Sequence, residues 1–401
     1  MTKNAEEIAL RQQRFQKLMQ EHMPQTDGAF IFSRLNIYYF TGTMNVGVLW
    51  IPKDGQSILF IRKGEERAKY ESALDAIVTF SSYKNIPATF LDRGMKIPSC
   101  IAAEMNGLNW SLSARLTKSL PNTQFIPGDH LLAMTRALKS ESELQIMRDA
   151  GARHHKCMND LLPEHLHEGI SELEVAHKLL ELYYQEGHNG ILRLESFGEE
   201  LFAGLVSIGD SGNFPSAFNG PNGAYGLHPA VPYMGNKNIK WEKNTPMIID
   251  NCFNLHGYHT DKTHTYWRGK KSDIPANIQH AFDFCVETQN YFAEQLKPGA
   301  IPSQIWAECQ QRVAASPWAD GFMGLGKNKV VFLGHGIGLA IDEYPAIARG
   351  FDQALQEGMT MALEPKIGIK GIGMVGIENT FEITANGGKV ITGKNDEIIV
   401  V

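Results

Sequence analysis

The sequence has few cysteines, no long apolar run and no excess of basic residues, and each absence excludes a class of protein. Only 5 cysteines occur in 401 residues, an odd number, scattered without metal-ligand spacing. This usage is typical of reduced thiols and not of a disulfide framework. The cysteines are Cys100, Cys157, Cys252, Cys285 and Cys309.

The charge and hydropathy patterns exclude two further classes. The formal net charge is −6, so the chain lacks the basic surface of a nucleic-acid-binding protein. No run of about 18 apolar residues occurs, so we expect no membrane-spanning segment. Residues 1–7 are polar and acidic and lack the apolar core of a signal peptide. Together these features predict a cytoplasmic protein.

The length and the local patterns predict two domains. A chain of 401 residues is too long for one ordinary core. Residues 1–137 have the pattern of an α/β domain without a catalytic group of residues, with strands predicted over 29–32, 46–51 and 57–61. Residues 138–401 would form the second domain.

Capping boxes mark two helix starts in the second domain. Ser140 with Glu143, and Ser171 with Glu174, each form a Ser-x-x-Glu pattern ahead of periodic apolar residues. Two later helices are predicted over residues 276–296 and 302–313.

Four carboxylates and one histidine in the last third of the chain have the chemistry of metal ligands. Such oxygen and imidazole donors suit Mn²⁺, Fe²⁺, Co²⁺ or Zn²⁺ better than a thiolate-seeking metal. Two ions that share these ligands can activate a water and polarise a carbonyl, which is the chemistry of a hydrolase. The candidate ligands are Asp250, Asp261, His335, Glu364 and Glu378.

The spacing of the acids predicts that two hairpins bring them together. A turn centred on residues 255–256 would place Asp250 and Asp261 directly opposite each other, with Cβ atoms about 5 Å apart. Gly371 lies midway between Glu364 and Glu378, and glycine tolerates the positive φ that a tight turn needs. The histidine would complete the shell.

Each candidate alone has a simpler structural explanation. A histidine between two glycines, such as His335, is usually a solvated turn residue, and Asp250 could simply end a strand. Glu364 could mark only where a strand stops, because the proline that follows cannot continue a central ladder. The joint occurrence of all five residues, in this order, favours the metal site. Cys252, on the same strand face as Asp250, is interpreted as a packing residue.

At these five residues the chain resembles the M24 metallopeptidase family of methionine aminopeptidase, aminopeptidase P and prolidase. Residues 36–42 also resemble the signature of the family's creatinase-type amino-terminal domain, and residues 136–144 the segment that opens its catalytic domain. The resemblance implies an α+β fold. A carboxy-terminal pita-bread domain at 138–401 would follow a smaller α/β creatinase/prolidase-like domain at 1–137.

The resemblance implies a dinuclear metal-dependent hydrolase of peptide bonds, of the aminopeptidase P or Xaa-Pro dipeptidase type. A hydroxide bridging two divalent ions would attack the carbonyl; Mn²⁺ is expected, with Co²⁺, Zn²⁺ or Fe²⁺ as alternatives. Glu364 would accept the proton and return it to the leaving amine. His228, in a glycine-rich loop, matches a family histidine that hydrogen-bonds the substrate. We expect a homodimer that acts on small peptides.

Three positions depart from the family pattern and concern substrate specificity. Asp342 stands where these peptidases carry a second histidine, so a hydrogen-bond donor is replaced by an acceptor. Gly376 stands where aminopeptidase P and prolidase place an arginine, and Val331 where aminopeptidase P has a histidine. We therefore expect weak recognition of a free proline carboxylate.

Two other functions remain open. The losses at these three positions favour a creatinase-like C–N hydrolase, or a lyase, that acts on a small non-peptide metabolite with the same fold. A non-enzymatic binding protein is the third alternative. The five retained ligands count against that alternative and against a metal-free creatinase type.

Overall fold

The computed structural model describes residues 4–195 and 201–401. The chain divides into two compact units, Met1–Arg136 and Ala137–Val401. This division falls one residue before the expected boundary. Within the described ranges, no helix is both long and apolar enough to cross a membrane.

The first unit contains a six-stranded sheet with both parallel and antiparallel pairs, together with α-helices. The strands predicted in this unit are confirmed, with ends that shift by one residue. Strand β1 pairs antiparallel with β2 and parallel with β5, and the sheet order is β4-β3-β2-β1-β5-β6. The strands are β1 (Gly28–Ile31), β2 (Gly47–Pro52), β3 (Ile58–Ile61), β4 (Ile77–Thr79), β5 (Cys100–Ala103) and β6 (Gln124–Pro127). The helices are α1 (Ala5–His22), α2 (Arg34–Thr41), α3 (Glu65–Glu71), α4 (Asn85–Asp92), α5 (Trp110–Ser119) and α6 (Asp129–Ala137).

Aromatic rings fill the core of the first unit. Phe30 and Phe90 both meet the Trp50 ring edge-on, each with centroids 5.3 Å apart. Large rings of this kind contribute most of the apolar area that a small core buries.

Glu104 is a buried acid of the first unit whose carboxylate is fully engaged. It accepts hydrogen bonds from the backbone N–H groups of Phe32 (2.6 Å) and Ser33 (2.8 Å) and from Asn36 Nδ2 (2.6 Å). The carboxylate joins the end of β1 to the first turn of α2, which is a structural role.

Helices of the second unit begin where the sequence predicts. Ser140 Oγ accepts from the Glu143 N–H while the Glu143 carboxylate accepts from the Ser140 N–H, and Ser171 with Glu174 repeats the arrangement. The capping boxes thereby satisfy backbone donors that the first helical turn leaves unpaired. The helices are α7 (Glu141–His155), α8 (Glu172–Gln185), α9 (Ala276–Ala293) and α10 (Pro302–Ala314).

The strands of the second unit form three sheets within the described residues. Their orders are β17-β9-β8-β7, β11-β10-β12-β15-β16 and the pair β13-β14. The strands are β7 (Gly204–Ile208), β8 (Pro246–Leu255), β9 (Tyr258–Trp267), β10 (Phe332–Gly336), β11 (Glu343–Ala348), β12 (Thr360–Leu363), β13 (Lys366–Ile369), β14 (Gly373–Gly376), β15 (Asn379–Thr384), β16 (Gly387–Val390) and β17 (Ile399–Val400).

Candidate metal centre

The two candidate aspartates lie on the β8–β9 hairpin as diagonal neighbours. The ladder pairs Asp250 with Thr263 and Asp261 with Cys252. The prediction that the aspartates stand directly opposite each other is therefore wrong. Both still point to one face of the hairpin, because side chains two residues apart on a strand share a face.

The position of the turn explains this difference. His256 and Gly257 have φ values of 51° and 92° and form a two-residue turn between Leu255 and Tyr258. Positive φ at both central positions matches the twist of a hairpin. Because His256 takes one of the two left-handed positions, the turn lies at residues 256–257, one residue later than expected. Every cross-strand pair of the hairpin therefore differs from the predicted register.

The glutamates stand opposite each other in a gap between two ladders. Strands β12 and β15 pair in the same register as β13 and β14, and Glu364 and Glu378 occupy the interval between them. Gly371, with φ of 71°, lies in the turn that connects β13 to β14. The prediction of a hairpin centred on Gly371 is confirmed.

His335 presents one ring nitrogen to the two glutamates. It lies on β10, next to β12, and its Nδ1 is 3.0 Å from the carbonyl oxygen of Gly336. That contact makes Nδ1 the donor and leaves the Nε2 lone pair available as a ligand. Nε2 lies 3.6 Å from Glu364 Oε1 and 4.0 Å from Glu378 Oε1.

Three of the five candidates converge closely enough to hold one ion. Asp261, His335 and Glu378 each place a ligand atom within 4.8 Å of the others. Asp261 Oδ1 and Glu378 Oε1 are buried and have no hydrogen-bond partner in the described structure. A buried carboxylate oxygen without a partner is costly, so these atoms fit a bound cation. Three protein ligands that leave further positions open are typical of catalytic sites.

A sixth residue of the cluster, Lys366, was not predicted from the sequence. Its side chain is fully buried, and its Nζ donates to Glu378 Oε2 at 2.7 Å and to Glu364 Oε2 at 2.9 Å. The same Nζ lies 3.1 Å from Asp250 Oδ2. Lys366 follows Glu364 by two positions, the spacing that places two strand residues on one face, and this was the available signal.

Burial and mutual repulsion dominate the electrostatics of the cluster. Burial, together with the charges of Glu378 and Asp250, raises the pKa of Asp261 well above its usual value. Burial also raises the pKa of Glu364 to about 7, against the opposing effect of Lys366. Burial alone would lower the pKa of Lys366, but the surrounding carboxylates raise it well above its usual value. The lysine is therefore an ammonium ion that neutralises only part of the carboxylate charge.

The cluster forms one wall of a cavity of about 330 Å³. All five candidate ligands line this cavity, and apolar side chains form much of the remaining wall. The volume is at the lower end of the range of small-molecule pockets, which fits a ligand of dipeptide size. The apolar and aromatic lining residues include Leu194, Leu201, Phe218, Phe332, Tyr344 and Phe351.

Comparison with known families assigns the chain. Residues 145–385 match metallopeptidase family M24, and residues 11–138 match the Creatinase/Prolidase N-terminal domain. The chain belongs to metallopeptidase family M24. Within the family, it is 26% identical over 385 residues to the Xaa-Pro dipeptidase of Pyrococcus furiosus, across 96% of this chain and 97% of that protein.

Solved structures confirm the fold of this M24 metallopeptidase. The prolidase from Pyrococcus horikoshii OT3 superposes with a TM-score of 0.78 at 22% identity, over 97% of this chain and 100% of that one. The Xaa-Pro dipeptidase from Bacillus anthracis gives 0.78 at 22% identity, over 98% and 100%. The chain therefore has the pita-bread catalytic domain and the smaller creatinase-type α/β domain that the sequence predicts.

Two of the expected specificity positions line the site or border it. Asp342 faces the cavity, and its Oδ1 accepts a hydrogen bond from the Glu195 N–H at 2.8 Å. Gly376 pairs with Lys366 across the β13–β14 ladder. A Cβ at position 376 would lie 2.6 Å from the Pro365 carbonyl oxygen and 2.7 Å from the Lys366 Cα. The backbone as it stands leaves no room for the family's arginine in this M24 metallopeptidase.

The structure does not bring Val331 and His228 to the cluster. Val331 is 73% exposed, and its neighbour Phe332 lines the cavity instead. His228 is exposed and is absent from the described residues that line the cavity. A tight turn pairs the His228 backbone with Val231, and the His228 Nδ1 accepts a hydrogen bond from the Ala230 N–H at 3.0 Å.

Proposed function

We propose that this M24 metallopeptidase hydrolyses peptide bonds of small peptides, in the manner of an aminopeptidase P or Xaa-Pro dipeptidase, with a divalent ion at Asp261, His335 and Glu378. The observation that carries the proposal is the pair of unpartnered carboxylate oxygens beside a cavity of dipeptide size. A divalent ion supplies Lewis acidity there, which polarises a carbonyl and lowers the pKa of a water.

Glu364 is the proposed general acid–base residue. Its Oε1 is the oxygen nearer to His335, while Lys366 holds its Oε2 at 2.9 Å, so the carboxylate is fixed in orientation. A fixed carboxylate beside the reacting atoms can accept a proton from the attacking water and return it to the leaving amine nitrogen. Glu364 therefore acts on the substrate and Lys366 positions it.

The charge of the cavity supports a preference among peptide substrates. Asp342 adds a carboxylate to the cavity wall, and Gly376 offers no guanidinium to clamp a free carboxylate bidentately. We therefore propose that longer or carboxyl-blocked peptides, or substrates with a cationic group, are preferred over dipeptides that end in a free proline.

Metal identity, assembly and location complete the proposal. An oxygen-rich site with one imidazole suits Mn²⁺, with Co²⁺, Zn²⁺ and Fe²⁺ as alternatives. All five cysteines are free and buried, which supports a cytoplasmic protein. We propose a homodimer, which the molar mass in solution tests directly.

The test is a peptidase assay on the Mn²⁺-loaded protein with matched substrates. An Xaa-Pro dipeptide, its carboxamide, the corresponding tripeptide and a dipeptide without proline separate proline dependence from carboxylate recognition. We expect hydrolysis that a chelator removes and Mn²⁺ restores, with the carboxamide and tripeptide cleaved faster than the free dipeptide.

Failure to cleave any peptide, in protein shown to contain metal, would contradict the proposal. The creatinase-like alternative would then be preferred, since Asp342 and Gly376 both alter the peptide-recognising positions. Small cationic C–N compounds would be the substrates to assay next. A free Xaa-Pro dipeptide as the best substrate would contradict only the proposed specificity.

A further inference from the structure

We propose that the ammonium group of Lys366 occupies the position of one of the two cations that such a carboxylate cluster accommodates, so that each chain binds one divalent ion and not two. The inference rests on the metal site of the proposed function but not on its substrate. It revises the expectation of a dinuclear centre.

The two glutamates divide their oxygens between two cation positions. Their Oε2 atoms accept hydrogen bonds from Lys366 Nζ, at 2.9 Å for Glu364 and 2.7 Å for Glu378. Their Oε1 atoms lie on the side of His335 Nε2, at 3.6 and 4.0 Å. Carboxylates that bridge two cations present their oxygens in this way. One of the two positions already holds the lysine.

The two aspartates also divide between these cation positions, one beside Lys366 and the other beside His335. Asp250 Oδ2 lies 3.1 Å from Lys366 Nζ, and Asp250 is not in the close ligand group that the described residues form. Asp261 belongs to that group with His335, and its Oδ1 has no hydrogen-bond partner among the described residues. Asp250 is therefore a counter-ion of the lysine, while Asp261 remains available to a metal.

An ion could enter the lysine's position only by displacing it. The Lys366 ammonium donates hydrogen bonds to Glu364 and Glu378, and a third carboxylate, that of Asp250, lies 3.1 Å from its Nζ. The side chain of Lys366 is fully buried, so an entering ion must break these short contacts with three carboxylates.

The opposite strand is shaped to accept this lysine. Gly376 is the cross-strand partner of Lys366, and a Cβ there would lie 2.9 Å from the Lys366 Cγ as well as too near the backbone. The family's usual arginine at 376 is thus absent where a lysine approaches from the facing strand. With glycine at 376 and lysine at 366, the positive charge of this strand pair lies on the Lys366 side and is directed at the candidate ligands.

The first measurement is the metal content of the intact protein. Chelator-treated protein is loaded with excess Mn²⁺, freed of unbound metal and counted by mass spectrometry. Electron paramagnetic resonance of the same sample separates an isolated ion, with its resolved hyperfine pattern, from an exchange-coupled pair. We expect one equivalent and the spectrum of an isolated ion.

The second measurement removes the lysine. Lys366→Ala vacates the position and should double the metal content, with the appearance of the coupled spectrum. Lys366→Arg keeps a cation there and should not exceed one equivalent. The matched control is Lys262→Ala, which removes another buried lysine, next in sequence to Asp261. The Nζ of Lys262 donates to Asn379 Oδ1 at 2.6 Å and not to the carboxylates of the cluster. The control should leave the metal content at one.

Two equivalents with a coupled spectrum in the natural protein would overturn the inference and leave the proposed hydrolase intact. No bound metal would overturn both. One equivalent without peptide hydrolysis would support the inference and contradict the proposed function. A folded Lys366→Ala protein that still binds only one equivalent of metal would also overturn the inference about Lys366. If that variant does not fold, the count on the natural protein decides.

Discussion

Glu104 in the first unit and Asp261 in the second are both buried carboxylates, 4% and 6% exposed, yet their surroundings differ. Glu104 accepts hydrogen bonds from two backbone N–H groups and an asparagine amide. In the part of the chain that the structure describes, Asp261 keeps one buried oxygen without a hydrogen-bond partner, and it lies in a cluster with three other acids. Burial alone therefore does not identify a functional acid.

The unsatisfied oxygen is what distinguishes the two residues. Folding satisfies buried polar groups almost everywhere, because each one left unpaired costs roughly 1–3 kcal/mol. A chain that leaves such atoms together on Asp261 and Glu378 is destabilised locally, unless a cation binds there. In the first unit, the buried carboxylate of Glu104 accepts hydrogen bonds on both of its oxygens.

The largest difference between the two acids should appear on substitution of Asp261. Asp261→Asn should lose most of the bound metal and reduce peptidase turnover by about three orders of magnitude or more, since a metal supplies several kcal/mol of transition-state stabilisation. Metal analysis and steady-state kinetics check both. Full metal content in this variant would remove Asp261 from the ligand set.

Glu364→Gln sharpens the comparison within the cluster itself. The amide keeps an oxygen donor and the shape of the side chain but cannot accept a proton. Turnover should fall by roughly two to four orders of magnitude while the metal content is largely retained. Turnover close to that of the natural protein, with metal bound, would show that another group is the base.

The smallest effect is expected at Glu104, and it should be on stability alone. Glu104→Gln turns one carboxylate oxygen into an amide that faces donors, so the free energy of unfolding should fall by about 1–3 kcal/mol. Urea unfolding measures the loss, and metal content serves as the internal control. A drop in bound metal without a stability change would contradict the distinction between the two acids.

The sequence predicted the geometry of the candidate site only in part. The Glu364–Glu378 hairpin followed from the midpoint glycine Gly371, because that turn needs a residue with positive φ. The aspartate hairpin was shifted because His256 adopts a conformation that its residue type rarely takes. Local patterns identify a turn more reliably than they place it.

Lys366 and His228 show the other limits of the sequence. A lysine near the end of a strand is usually solvated, and only three-dimensional packing reveals that Lys366 meets three carboxylates. His228 matched the family by its place in a glycine-rich loop, but the loop's own turn contacts decide where its side chain points. Both outcomes depend on contacts between residues distant in the chain or on loop conformation, which periodicity does not encode.

The close approach at Gly376 also constrains how this site can evolve. An arginine there meets the Pro365 carbonyl oxygen and the Lys366 backbone, so a change at 376 is disfavoured for as long as position 366 and its strand stay in place. Loss of the lysine alone would leave three acids without their counter-charge. The two positions are thus coupled, and a change at either one alone is not neutral. Lysine at the first position with glycine at the second forms a two-residue signature by which a lineage with this arrangement can be recognised.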